Sequence, residues 1–118
     1  MSAGTGDAGL RQADSLRVVV LRAGDEGDVV TVVIDGSLDQ SGAERLRACV
    51  MEALGRRPVM LAVDASALTS VDLPGMAGLL RVRHAVTDAG VAFGLSGASS
   101  ALRHVSELAG FEALLPDE

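Results

Sequence analysis

Apolar positions along this chain fall into short unbroken runs, and the stretches between them repeat apolar residues every three or four positions. Leu16–Leu21, Asp28–Ile34, Val59–Val63 and Val91–Leu95 are runs of five to seven residues rich in Val, Leu and Ile, the length and make-up of strands. Ala23-Gly24-Asp25-Glu26-Gly27 joins the first two as a Gly-rich acidic hairpin turn, so they pair antiparallel. The run Val59-Met60-Leu61-Ala62-Val63 is wholly apolar, as in a central strand covered on both faces, and Asp64 is expected to stop it. The residues from Ala65 to Val71 then read as a polar connection. Asp35-Gly36-Ser37-Leu38-Asp39 is expected to end the second strand in the same way.

The helical stretches follow these strands. Ala43, Leu46, Val50 and Ala53 recur at helical spacing, with Glu44, Arg45, Arg47 and Glu52 falling largely elsewhere. Ser41-Gly42-Ala43-Glu44 has the form of a capping box, Gly55 is the expected C-cap, and Pro58 prevents the helix from resuming. A second helix is predicted over Leu73–Asp88. Asp72 is its N-cap, and Pro74 sits in the first turn, where no intrahelical hydrogen bond is lost. Met76, Leu79, Leu80 and Val86 form its inner face, Arg81, Arg83 and Thr87 face water, and Gly90 closes it.

Gly75 and Gly78 in this helix each cost about 1 kcal/mol relative to Ala. Either its own sheet or a partner surface must therefore come close. Ser96–Ser100 leads into a third helix with Ala101, Val105 and Leu108 on one face and Gly110 as C-cap. Phe111 then folds back over the last turn, and Leu114 and Leu115 form a terminal turn or short strand. The order β-β-α-β-α-β-α predicts an α/β domain: a mixed, mostly parallel sheet of four to five strands with helices packed against it.

A length of 118 residues suits one domain, taken as residues 16–118 behind a flexible tail, residues 1–15, that has little to bury. Gly4-Thr5-Gly6-Asp7-Ala8-Gly9 in the tail has the spacing of a dinucleotide-binding loop but no preceding strand to place it, so the tail reads as a leader. The net charge of −6 argues against nucleic-acid binding, which leaves a basic footprint. All ten basic residues are Arg, as GC-rich codon usage favours. The lone Cys49 reads as a buried reduced thiol, and no stretch has the form of a signal peptide or a membrane span. The expected address is the cytoplasm, without membrane insertion.

No constellation of catalytic residues emerges. Gly94-Leu95-Ser96-Gly97-Ala98 does not form the nucleophile elbow of a hydrolase, and His84 and His104 look solvent-facing or interfacial. One Cys and two scattered His lack metal-ligand spacing, so neither metal nor cofactor is expected. Asp39, Asp64 and Asp72 lie where strand ends can gather a ligand, although capping is the simpler role for them. The expected function is that of a binding surface and not of an enzyme.

The stretch from Val59 to Met76 resembles the signature of the STAS domain, the anti-sigma factor antagonist family. In that family an apolar strand leads through an Asp to a D-S-S/T-G-L turn that opens a helix. Here the turn is Asp72-Leu73-Pro74-Gly75-Met76, and Gly36-Ser37-Leu38-Asp39 resembles the family's G-x-L-D element. The resemblance implies partner binding at Asp39, Asp72, Leu73, Pro74, Gly75 and Met76. The partner would be an anti-sigma factor and serine kinase of the histidine-kinase-like ATPase fold, and its capture frees a sigma factor for transcription. In family members that act as switches, the residue after the Asp is the phosphorylated serine or threonine; here it is Leu73, so no phosphate is expected there. Ser66, Thr69 and Ser70 are weaker candidate acceptors. Two alternatives stay open: an accessory STAS subunit of an ABC-type transport complex, and a degenerate STAS sensor or scaffold for a small ligand. An exposed strand edge and small-residue helix surfaces also leave room for a homodimer.

Overall fold

The computed structural model describes residues 16–24 and 28–110. Its elements run β1 (Leu16–Ala23), β2 (Val29–Leu38), α1 (Gln40–Leu54), β3 (Met60–Val71), α2 (Leu73–Asp88), β4 (Ala92–Ala98) and α3 (Ser100–Ala109), which is the predicted order. The four strands form one sheet in sequence order. β1 pairs antiparallel with β2, while β2 with β3 and β3 with β4 are parallel. Two successive crossovers step in the same direction, and with the right-handed connection that parallel strands favour they put α1 and α2 on the same face of the sheet.

The core lies between that face and the helix layer. Val30, Val32 and Ile34 of β2 and Leu61, Val63 and Ala65 of β3 meet Leu46 and Val50 of α1, Met76, Leu79, Val82 and Val86 of α2, and Leu102 of α3. All of these side chains are buried. The intervening strand positions point to the other face, where Val19, Leu21, Val29 and Met60 are exposed to between 36% and 54%. The expectation of a central strand covered on both faces is therefore corrected. The Val59–Val63 run is apolar throughout, yet among the described residues helices meet only alternate positions, and Ala62 on the other face is nonetheless buried.

Both expected strand ends also move. β3 continues through Asp64 to Val71, and β2 through Asp35 to Leu38, because the two extensions pair with each other: Asp35 lies opposite Ala67 and Leu38 opposite Val71, with register shifts beside Asp35 and Ser37. The hydroxyls in the presumed connection serve this ladder. Thr69 donates to the Gly36 carbonyl at 3.1 Å, and Ser70 donates to the Ser37 hydroxyl at 2.8 Å. β4 likewise runs past Leu95 to Ala98, and Ser99 caps α3 by accepting from the Leu102 amide at 3.1 Å.

Helix ends bring three further results. The capping box at Ser41 is replaced by Asp39, whose carboxylate accepts from the Gly42 amide at 2.8 Å; the extended backbone of Asp39 leaves β2 already aimed into the helix. Gly55 is the C-cap of α1 but stays right-handed, and the left-handed residue that turns the chain is Arg57 at φ 55°. Gly110 closes α3 in the left-handed conformation as expected. The inner face of α3, however, is Leu102 and Ser106, with Ala101 and Val105 half-buried and Leu108 75% exposed. The tail, the dinucleotide-like Gly pattern, and the expectations for Phe111, Leu114 and Leu115 lie outside the described residues.

Candidate functional site

The two chain turns singled out by sequence lie side by side at one end of the sheet. Where β3 ends, the Asp72 amide donates to the Leu38 carbonyl at 3.2 Å, so the close of β2 holds the start of α2. The Asp72 carboxylate accepts from the Gly75 amide at 2.8 Å, and its carbonyl accepts from the Met76 amide at 2.9 Å. Asp39 repeats this arrangement one strand away at the start of α1. The result is two acid-capped helix starts fastened together through Leu38.

Two glycines explain how closely they approach. A Cβ on Gly75 would lie 2.0 Å from the Leu38 carbonyl oxygen, and one on Gly78 would lie 2.2 Å from the Ala43 Cβ. The close contact is thus internal, between α2 and the β2–α1 segment. Of the two readings of these glycines, tight packing within the domain is the one the geometry bears out, and it is what leaves the neighbouring residues at the surface.

Leu73 and Pro74 are exposed on this turn, Leu73 to 61%, whereas Gly75 and Met76 are buried. Met76 points inward, with its sulfur 3.6 Å from the Ser106 hydroxyl, so it supports the turn from beneath and has no surface to offer a partner. Leu73 forms one wall of an apolar hollow of about 330 Å³, closed by Val71 and by Val105, Leu108 and Ala109 of α3. On the other side of Pro74 a groove of about 230 Å³ runs between α1 and α2, flanked by Glu44, Arg47 and Arg81.

The contribution of α3 to the hollow was not anticipated. The sign of it in the sequence was Leu108, a large apolar residue that lies on a different face of the helix from Leu102 and Ser106 and is left facing outward.

The remaining candidates are dispersed. Asp64 accepts from the Ser66 amide at 3.0 Å and the Ser66 hydroxyl at 2.7 Å. The three aspartates Asp39, Asp64 and Asp72 thus each satisfy a local backbone amide, in keeping with the capping reading. Ser66, Thr69 and Ser70 all lie on β3 with their hydroxyls hydrogen-bonded. His84 and His104 are exposed on separate helices. Cys49 is half-buried and not enclosed as expected, because it borders a hollow between β1 and α1 near Arg22 and Arg56. Among the described residues no group of three or more His, Cys, Asp or Glu is placed to hold a metal ion. No helix there is long and apolar enough to cross a membrane.

A four-stranded mixed sheet under one layer of three helices, with an acid-capped helix start presenting an apolar side chain, defines a small α/β domain whose prominent surface feature is a chain turn. The chain belongs to the STAS domain family: residues 21–116 match the family model described as Mlab, STAS domain. Solved structures share the fold. An anti-sigma factor antagonist from Mycobacterium paratuberculosis aligns with a TM-score of 0.66 at 22% identity, covering 85% of this chain and 84% of that one. The anti-sigma factor antagonist SpoIIAA in its unphosphorylated form aligns at 0.64 and 19% identity over 85% and 88% of the two chains. SLC26A9 aligns at 0.59 and 17% identity over 77% of this chain but only 17% of its own length. Identities this low establish a common fold. No curated protein matches the sequence.

Proposed function

We propose that this chain is an anti-sigma factor antagonist that docks through the start of α2 on an anti-sigma factor of the histidine-kinase-like ATPase fold and thereby frees a sigma factor, independently of phosphorylation. Leu73 carries the reading. It occupies the first position of α2, the place that holds the phosphorylated hydroxyl in the family's switches, and it presents an exposed apolar side chain there. In a switch, phosphate at that position adds up to two negative charges and breaks docking by repulsion and desolvation. Leucine removes that control and offers about 1.5–3 kcal/mol if it is buried fully by a partner.

Asp39, Asp72 and Gly75 act in this reading by fixing the turn, and Leu73 and Pro74 by contact. Ser66, Thr69 and Ser70 are poor acceptors, since a kinase must draw its target into an extended, free segment and these hydroxyls are engaged within β3 and against the end of β2. The function is that of a binding module without catalysis of its own, in the cytoplasm where sigma factors work.

Native mass spectrometry of this protein with the kinase-like anti-sigma factors of its own genome, first with ADP and then with Mg-ATP, tests the reading. A complex that forms with ADP and persists without added phosphate in Mg-ATP is expected. Phosphate on this chain, or the absence of any complex, speaks against it. The family model's description, Mlab, STAS domain, favours a second reading: an accessory subunit on the ATPase of an ABC-type transport complex, which needs no phosphorylated serine. Co-purification with such an ATPase, and with no anti-sigma factor, selects that alternative.

A further inference from the structure

On the α1 side of Pro74, the groove between the two helices has a floor of Ala43 and Gly78, both buried, and an arginine on each wall: Arg47 of α1 and Arg81 of α2, both exposed. The helices nearly touch at this floor, where a Cβ on Gly78 would lie 2.2 Å from that of Ala43. Neither arginine has a hydrogen bond or ion pair among the described residues. Glu44 stands one turn before Arg47, the spacing at which such side chains commonly join, yet it stays apart. Arg81 has no acid within one turn of it on α2. In a chain of net charge −6 the groove is therefore locally positive, with two cations against one acid.

Its size narrows what it can take. About 230 Å³ is less than the roughly 300–1,000 Å³ of sites that enclose small molecules and cofactors. A side-chain carboxylate fits, and two guanidinium groups can approach it from opposite walls, each with paired donors. Both arginines are exposed, so a free anion meets them hydrated and gains little. A partner seated on Leu73 and Pro74 excludes that water and holds its own carboxylate in place, which strengthens both contacts.

We propose that the groove receives an Asp or Glu side chain of the protein that docks on the α2 turn, with Arg47 and Arg81 both donating to its carboxylate. This rests on the docking turn of the proposed function and adds the chemistry of the partner's surface. Arg81 lies eight residues beyond Leu73, about 12 Å along α2, so the partner carries its acid about that far from the apolar site that takes Leu73. Leu73 supplies affinity through burial, while the arginine pair fixes orientation and makes docking sensitive to salt.

Calorimetric titration of the full chain against the anti-sigma factor that forms the complex, in ADP and at about 0.05 M and about 0.5 M salt, tests it. Arg47→Gln and Arg81→Gln should each weaken binding at least threefold and together at least tenfold, and the double variant should lose most of the wild type's salt dependence. Thermal unfolding of these variants should match the wild type, since both side chains are exposed. Arg47→Lys with Arg81→Lys, which keeps the charges and removes the forks, should retain the salt dependence with part of the affinity.

A complex that tolerates Arg47→Glu with Arg81→Glu but not Leu73→Asp overturns the proposal and leaves the docking turn standing. No complex with the wild type overturns both. Tighter binding by the double Gln variant would mean that the arginines hold acids of this chain or of a second copy, and it also overturns the proposal. So does inorganic phosphate at about 10 mM if it shifts the Arg47 and Arg81 side-chain NMR signals of the free chain, which would mark a small-anion site.

Discussion

Asp72 and Asp39 do the same work, and capping was the simpler reading of both, but only Asp72 could be tied directly to the helix it caps. Asp72 lies just before Pro74, which is tolerated in a helix only in the first turn, and before the apolar face of Met76, Leu79 and Val86, so its role could be read directly. At Asp39 the neighbouring Ser41-Gly42-Ala43-Glu44 imitates a capping box, and the choice between the two depended on where β2 releases the chain. Asp39→Ala and Asp72→Ala should each cost about 1 kcal/mol in chemical denaturation, and Ser41→Ala should cost little. The glycines follow a steeper rule, because the atoms they would strike are backbone or the short side chain of Ala43. Gly78→Ala should destabilise by about 1–3 kcal/mol. Gly75→Ala, aimed at a carbonyl oxygen, should cost at least as much and displace the start of α2, seen as shifted amide resonances from Leu38 to Met76.

Among elements, α2 was the most legible: its cap, first-turn proline and end at Asp88 stand as read, and so does its inner face save Leu80, which is half-buried. Val82 joins that inner face as the residue one turn beyond Leu79. β3 was the least legible, because residues from Asp64 to Val71 look polar in isolation and become a strand only through pairing with the end of β2. Sequence patterning senses the local preference for turns at Asp64 and Ser66, but not the partner strand that overrides it. α3 was misread for a related reason. Ten residues offer two rival apolar stripes, and only packing against α2 and the sheet picks Leu102 and Ser106. Leu102→Ala should therefore cost about 2–5 kcal/mol in thermal or denaturant unfolding, whereas Leu108→Ala should change stability by no more than about 0.5 kcal/mol. Equal effects from the two would mean that α3 is rotated from the arrangement described here.

For the molecule as a whole, strand and helix order together with a single turn motif were enough to reach the family, and the family match over residues 21–116 agrees. What they did not reveal is that, among the described residues, helices cover one side of the sheet only, since an apolar run reads alike whether one face or both are packed. The motif likewise located the turn but not which of its residues stay at the surface; that division, Leu73 and Pro74 outside and Gly75 and Met76 inside, comes from the packing of α2 onto Leu38 and Ala43.

In the proposed function, Leu73 makes docking apolar and free of phosphate control. The most direct test is calorimetric titration of the wild type, Leu73→Asp and Leu73→Ser against the anti-sigma factor that forms the complex, in ADP and in Mg-ATP. The predicted result is equal wild-type affinity in the two nucleotides and at least a tenfold loss for Leu73→Asp. Leu73→Ser should bind in ADP and be the form that turns sensitive to Mg-ATP. Wild-type binding that collapses in Mg-ATP, or Leu73→Asp binding as tightly as the wild type, would contradict it.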